Sequence, residues 1–478
     1  MNEGKSGLFC DFYELTMGQG FFEKKHNPFS TFEMFYRTSP LSSGYAVFVG
    51  IDEVVDNIIN FRFSKEDISY LKSLGMFKDD FLSYLENFKF SGDVNAFDDG
   101  EICFPREPLL QIKAPMIECC LLETMILNSI NFQTLIATKA SRLKTASAGR
   151  SIMEFGMRRA ATGYASVVAS RSAIIGGADS TSNTFAASLY NLKASGTMSH
   201  AWVMSFSDEY SAFRTFADLY PNNAILLIDT YDTLSSGIDN AIKVGLEQKQ
   251  KGLKIGVRID SGDLSYLSQE VRKRLDKAGL EDATICLSND INESVLRELL
   301  LSGADVNSFG IGTKLVADGE TLGGVYKMVS FIDENGEERN VLKMSSSVEK
   351  LTLPGVHNVF RLFDDDGHPL CDYITLKGEN PPEVGKKVLL NHTVYDNENY
   401  TLKSFKSVKS MLSPKITGGK RVYTPKSVMV IKASSSESLQ AFDKSYKRLV
   451  NPHIYKVSIS STLKSERNRL IDEYKSRS

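Results

Sequence analysis

One rhythm dominates the chain between residues 222 and 315: a short apolar run, a polar tip, then an amphipathic stretch long enough for a helix, four times over. The runs are Ala224–Ile228, Leu253–Ile259, Thr284–Leu287 and Val306–Ile311. Their tips are Asp229-Thr230, Asp260-Ser261-Gly262-Asp263, Ser288-Asn289-Asp290 and Gly312-Thr313-Lys314. Apolar runs of this length separated by helical segments indicate βα units and a parallel sheet. A spacing of about 20 to 30 residues suits either a β/α barrel or a doubly wound sheet. Both architectures bind ligands at the carboxyl ends of their strands, where these tips fall. Upstream, Ser151–Ala161, Gly176–Asn183 and Gly196–His200 carry the same polar, glycine-containing chemistry and are placed in the same catalytic unit.

The 478 residues allow about three domains at roughly 100 to 200 residues each. Residues 1–130 read as an N-terminal α+β domain, with Thr31–Tyr36 alternating like a strand and Cys119–Asn128 patterned as a helix. Residues 131–340 read as the β/α catalytic domain. Residues 341–478 read as a C-terminal domain of short strands and turns, ending in a charged helix. Lys plus Arg (56) nearly balances Asp plus Glu (59), so no broad field draws the chain to nucleic acid or an acidic membrane. Any anion must meet a local site. The six cysteines form neither a CxxC pair nor a zinc-spaced cluster with histidine, and read as reduced thiols in a cytoplasmic protein without zinc. No export signal is apparent, and apolar runs such as Tyr45–Ile51 fall short of the roughly 18 residues of a membrane helix.

Arg258 with Asp260 and Asp263 brings three charges to one strand end. One reading is a helix N-cap from Ser261 or Asp263. The other is that Arg258 grips an anion while a carboxylate meets ribose hydroxyls or a phosphate-bound metal. Gly310-Ile311-Gly312-Thr313-Lys314 lacks the third glycine of a dinucleotide fingerprint, and no Walker motif occurs. It is either a tight turn or a nest for a phosphate monoester. His200, before an apolar and strand-like run, is either a satisfied structural residue or a nucleophile. Glu154, Phe155, Arg158 and Arg159 offer either a surface ion pair with one buried arginine, or an arginine on a phosphate and an aromatic face for a ring.

Seven stretches in register, Asp11–Met17, Glu154–Ala160, Gly176–Asn183, Gly196–His200, Val257–Leu264, Phe309–Thr313 and Gly323–Lys327, resemble nicotinate phosphoribosyltransferases, as does the closing Asn451–Ser460. The resemblance implies an α/β fold, an incomplete parallel β/α barrel flanked by an N-terminal α+β domain and a C-terminal domain, in a homodimer with shared sites. It implies that nicotinate joins phosphoribosyl pyrophosphate, with ATP hydrolysis coupled through a phosphohistidine at His200 and Mg²⁺ on the phosphates. On this pattern Tyr13, Thr197, Arg258, Phe155 and Asp179 surround nicotinate, and Asp260 favours the cationic transition state. Thr313, Gly310, Gly312, Arg158 and Asn289 hold phosphate. Ala178 and Ser199 depart from the family's usual residues without removing a donor or a charge. A nicotinamide-using relative is the nearest rival, with Asp179 as the residue that would accept from an amide, and a silent nucleotide-binding barrel is the second. Because the implied substrates are anionic, Arg158, Arg258 and Lys314 are expected to form a local positive pocket.

Overall fold

The computed structural model describes residues 5–317, 319–344, 350–395 and 397–477. By packing, the chain divides into two compact units. One comprises Lys139–Gly319 with Ser427–Lys432; the other comprises Met1–Thr138, Glu320–Lys426 and Ala433–Ser478.

The first unit is built on a six-stranded, wholly parallel sheet. Across it the strands run Ser180–Thr181, Ser151–Glu154, Ser308–Ile311, Thr284–Ser288, Gly256–Ile259 and Ile225–Leu227. The four expected runs all become strands, and the helices Ile238–Gln250, Leu264–Lys277 and Glu293–Leu301 fall between them. The winding never reverses: each strand's successor lies on the same side, and the step from Thr181 to Ile225 passes from one edge of the sheet to the other. The sheet is therefore open, its two edge strands unpaired with each other; a single bridge extends one edge, Thr181 to Ala194.

Three of the four strand-to-helix connections divide into two parts. The far end caps the helical segment that follows: Asp232 accepts from Leu234 N, Asp263 from Tyr266 N and Asn292 from Val295 N, whereas Gly312 offers no side-chain cap. These bonds satisfy N–H groups that the helix itself leaves free. The near end, at the strand terminus, is left to face the mouth of the sheet. Asp263 is thus the cap, and Asp260 is released for other work.

Two expectations are corrected here. The run after His200 is not a strand but the short helix His200–Met204, with Trp202 Nε1 donating to Ala212 O at 3.1 Å. The pair Met116–Cys120 and Glu123–Ala146 makes a helical stretch long and apolar enough to cross a membrane by length and composition, although 67% of its most apolar window is buried, as in a core helix.

The second unit holds two larger sheets and a two-stranded one, Ala46–Val47 with Ile102–Cys103. Of the larger two, one is antiparallel, with Phe29–Tyr36 between Gly324–Ile332 and Leu110–Pro115; the other places Pro369–Leu376 between His357–Phe363 and Val457–Ile459. Its core is rich in phenylalanine, including Phe61, Phe81, Phe90 and Phe97. All six cysteines are free and five are buried; burial pushes the Cys120 and Cys371 thiols up to about 12, which leaves them as packing residues.

Candidate functional site

Arg258 organises the strand-end cluster. It lies on Gly256–Ile259, next to Thr284–Ser288 in the sheet, so its side chain reaches the neighbouring strand's terminus. Its Nε donates to Ser288 Oγ at 2.8 Å, Nη1 to Thr197 Oγ1 at 3.1 Å and Nη2 to Asp260 Oδ1 at 2.9 Å. Ser288 Oγ in turn donates to Asp260 Oδ1. A second N–H remains on each of Nη1 and Nη2. The guanidinium carbon stands 5.6 Å from the Phe155 ring centroid, a cation–π distance.

His200 enters from the segment that joins the two edge strands, Ser180–Thr181 and Ile225–Leu227. Its Nδ1 bonds Thr230 Oγ1 at 3.1 Å and its Nε2 stands 3.9 Å from Asp260 Oδ2. Thr230 and Asp260 come from adjacent strand ends, so the imidazole is held at one nitrogen and faces a carboxylate with the other. Asp229 supports this arrangement: its Oδ2 accepts from Asp260 N at 2.9 Å and Ser261 Oγ at 2.6 Å, while its Oδ1 is buried with no partner.

Phe155 is placed by two glycines. A Cβ on Gly310 would stand 2.6 Å from the Phe155 ring, and one on Gly312 would stand 2.9 Å from the Phe155 carbonyl oxygen. The absence of a side chain at Gly310 thus makes room for an aromatic ring. Glu154, the residue before Phe155, is fully buried. Its carboxylate accepts from Ser170 Oγ at 2.9 Å, Thr181 Oγ1 at 2.5 Å and the Gly156 N–H. The expected surface ion pair is absent because three donors already satisfy Glu154. Arg158 and Arg159 are both exposed, on a turn that packs against Thr313–Val316.

Thr313 opens that short helix after Gly312. Asn289 follows Ser288 with a φ of 96° and Asp290 a φ of 29°, backbone positions that β-carbon-bearing residues seldom take and that cluster at functional sites. The local field is not simply positive: Asp260 pairs Arg258, Asp229 adds a second carboxylate, and Arg158 is exposed.

Two expected residues lie elsewhere. Asp179 sits at the amino end of the sheet, where it accepts from Ile152 N at 2.9 Å and Lys144 Nζ at 2.9 Å and faces Lys432 Nζ at 3.5 Å. Tyr13, on the helix Phe12–Glu23 of the second unit, lines a cavity of about 520 Å³ with Asp11, Glu123 and Thr124. Burial, then Glu123, Glu14 and Asp11, push its phenol upward, so it stays a neutral donor. Among the described residues no three His, Cys, Asp or Glu side chains are grouped to hold a metal. The donor set instead suits Mg²⁺, which takes one or two carboxylates and completes its shell with water and substrate phosphate.

Three models of nicotinate phosphoribosyltransferase match the chain: the N-terminal domain over residues 8–131, the family model over 150–346 and the C-terminal domain over 356–467. Nicotinate phosphoribosyltransferase of Bacillus subtilis is 37% identical over 476 residues, covering 98% of this chain and 96% of that protein. The chain belongs to the nicotinate phosphoribosyltransferase family. A family member from Mycobacterium tuberculosis is 40% identical over 78% of this chain and 79% of its own. The crystal structure of human nicotinic acid phosphoribosyltransferase superposes with a TM-score of 0.84 at 29% identity, covering 96% of this chain and 99% of that one. Ser288, Thr230 and Asp229 join the cluster without having been singled out by the sequence. All three stand in the polar tips, but hydroxyls and a carboxylate that work by bonding Arg258, His200 or a neighbouring backbone N–H carry no motif of their own.

Proposed function

We propose that this chain joins nicotinate to phosphoribosyl pyrophosphate, yielding nicotinate mononucleotide and pyrophosphate, with ATP hydrolysis coupled through a phosphohistidine at His200. The observation that carries the reading is Arg258, fixed on three sides with an N–H to spare on each terminal nitrogen, beside an aromatic face and a histidine–aspartate pair. The nicotinate carboxylate takes the free N–H groups, and Thr197 orients the guanidinium. Phe155 covers the pyridine ring. The ring nitrogen attacks the anomeric carbon, and the bond to pyrophosphate breaks with its electron pair leaving on oxygen. Asp260 lies where positive charge develops on the sugar. Asp229 Oδ1, unpartnered, and Asp260 are the carboxylates that would hold Mg²⁺, which when bound neutralises charge on the leaving phosphates. The Arg158 turn, Thr313, Gly312 and Asn289 receive the ribose phosphate.

The unreversed winding of the sheet supports its reading as a β/α barrel open at one seam. The exposed aromatic face of Phe12 and Tyr13 supports a homodimer in which this helix completes a site. Asp179 favours the acid over the amide, since its oxygens already meet Lys144 and Lys432 rather than waiting for an amide donor. Incubation with γ-labelled ATP and Mg²⁺ is expected to leave an acid-labile, base-stable label on the wild type and none on His200→Gln. Label on both, or a clear preference for nicotinamide in competition, would overturn the reading.

A further inference from the structure

A cavity of about 370 Å³ opens in the unit that holds the chain's ends, lined among others by Arg106, Leu390, His392, Tyr400, Ile454 and Lys456. None of the strand-end residues described above lines it, and its volume falls within the roughly 300 to 1,000 Å³ of small-molecule sites. Its chemistry is that of a receptor for an aromatic anion. Lys456 Nζ stands 4.0 Å from the centroid of the half-exposed Tyr400 ring, so an ammonium and an aromatic face are presented together. Leu390, Ile454 and Val457 supply an apolar wall.

His392 is held in one tautomer. Its Nδ1 accepts N–H bonds from Val394 and Tyr395, both at 3.0 Å, and its ring stacks on Tyr395 at 5.0 Å. The neutral ring therefore carries its proton on Nε2, as a donor. Burial lowers the imidazole's pKa; Arg106 and Arg467 push the same way and Glu398 opposes them, so two guanidiniums reach this ring with their field. Arg106 itself has a left-handed backbone (φ 74°), fixed by its N–H on Tyr36 O at 2.7 Å. Beside Arg106, Lys456 and an imidazole N–H, the described lining includes the carboxylate of Glu398.

We propose that this cavity binds a nucleoside monophosphate, its base against Tyr400 and the apolar wall, and its phosphate on Arg106, Lys456 and His392 Nε2–H. The inference does not rest on the function proposed above. The test is a titration of the full chain, labelled at histidine, with AMP as probe, following the imidazole resonance that disappears in His392→Gln. A bound phosphate beside the ring raises its midpoint by about one pH unit. Lys456→Ala and Tyr400→Ala, both at exposed positions, each weaken AMP binding at this ring at least tenfold and leave nicotinate turnover unchanged. The proposal is overturned if AMP leaves the His392 midpoint in place, or if either variant binds AMP there as the wild type does. Inorganic phosphate giving the same shift at the same concentration would mark a phosphate site only, and adenosine binding as tightly as AMP would remove the anion from the argument; either overturns it.

Discussion

Two regions of the molecule use the same residue types to different ends. At the strand ends Arg258 meets Asp260 at 2.9 Å, and His200 faces that carboxylate at 3.9 Å. In the other unit Arg361 holds Asp372 through two nitrogens at 2.8 and 2.6 Å, and His357 meets Glu33 at 2.7 Å. What separates them is vacancy. Arg361 and Asp372 have 2% and 0% of their side chains exposed; Arg361 also donates to Ile102 O at 2.8 Å, Asp372 accepts from Tyr455 at 3.1 Å, and the rings of Phe104 and Phe442 flank the guanidinium. Arg258 and Asp260 are 12% and 30% exposed, with N–H groups left over. A charged cluster sealed from water holds a fold together, even with an atom such as His357 Nε2 left unpartnered. One that is open and incompletely bonded is available to a ligand.

The comparison breaks most visibly at its buried member. Arg361→Ala leaves Asp372 charged and unpaired in the core, at an expected cost of about 3 to 5 kcal/mol in denaturant unfolding. Replacing the pair together, Arg361→Met with Asp372→Leu, recovers most of that loss. A stable Arg361→Ala protein would show the pair to be as dispensable as a surface bridge. Arg258→Ala is the counterpart: kcat/KM for nicotinate falls on the order of 10²- to 10³-fold, about 3 to 4 kcal/mol, while the unfolding midpoint holds. Equal loss of stability would place Arg258 in the same class as Arg361.

The open site is more legible in the sequence than the sealed one. The strands Gly256–Ile259 and Thr284–Ser288 declare themselves because parallel strands, buried on both faces, need unbroken apolar runs. Arg258 declares itself because a guanidinium at the end of such a run demands a partner. Arg361 and Asp372 are eleven residues apart in an ordinary antiparallel pair, and only the register, Arg361 opposite Asp372, brings them together. The same limit explains Ser288 and Thr230, whose partners arrive from neighbouring strands, and Glu154, whose burial depends on Ser170 and Thr181 converging on it from a helix and a strand.

Glu14 sharpens the comparison from the second unit, as a carboxylate that is buried but not saturated. Thr124 donates to Oε1 from both its N–H, at 3.1 Å, and its hydroxyl, at 2.6 Å, while Oε2 has no partner. Burial pushes the carboxyl up to about 7 from 4.5, the Thr124 bonds opposing. The folded chain then binds more protons than the unfolded one between about pH 4.5 and 7, so this group makes stability fall as pH rises through that window. Melting temperatures measured across it should slope less steeply for Glu14→Gln than for the wild type. Parallel slopes would mean that Glu14 is ionised and paired like Asp372.

Asp179 gives the smallest expected effect and the most discriminating one, because it lies in the unit of the open site yet is bonded like the sealed one. Burial works against its ionisation, but the Ile152 N–H, Lys144 and Lys432 outweigh it and hold the carboxyl below its usual value. A depressed folded pKa contributes stability above the unfolded value and loses it as pH falls through the folded one. About a third of the side chain is exposed and screened by water, so Asp179→Asn should cost only about 1 kcal/mol at neutral pH, a difference that closes on acidification below about pH 4. Its KM for nicotinate should not move, since the carboxylate is engaged at the amino end of the sheet while Arg258 works at the carboxyl end. A tenfold rise in KM at unchanged stability would return Asp179 to the substrate and show that position at the strand ends is not what divides binding from support in this fold.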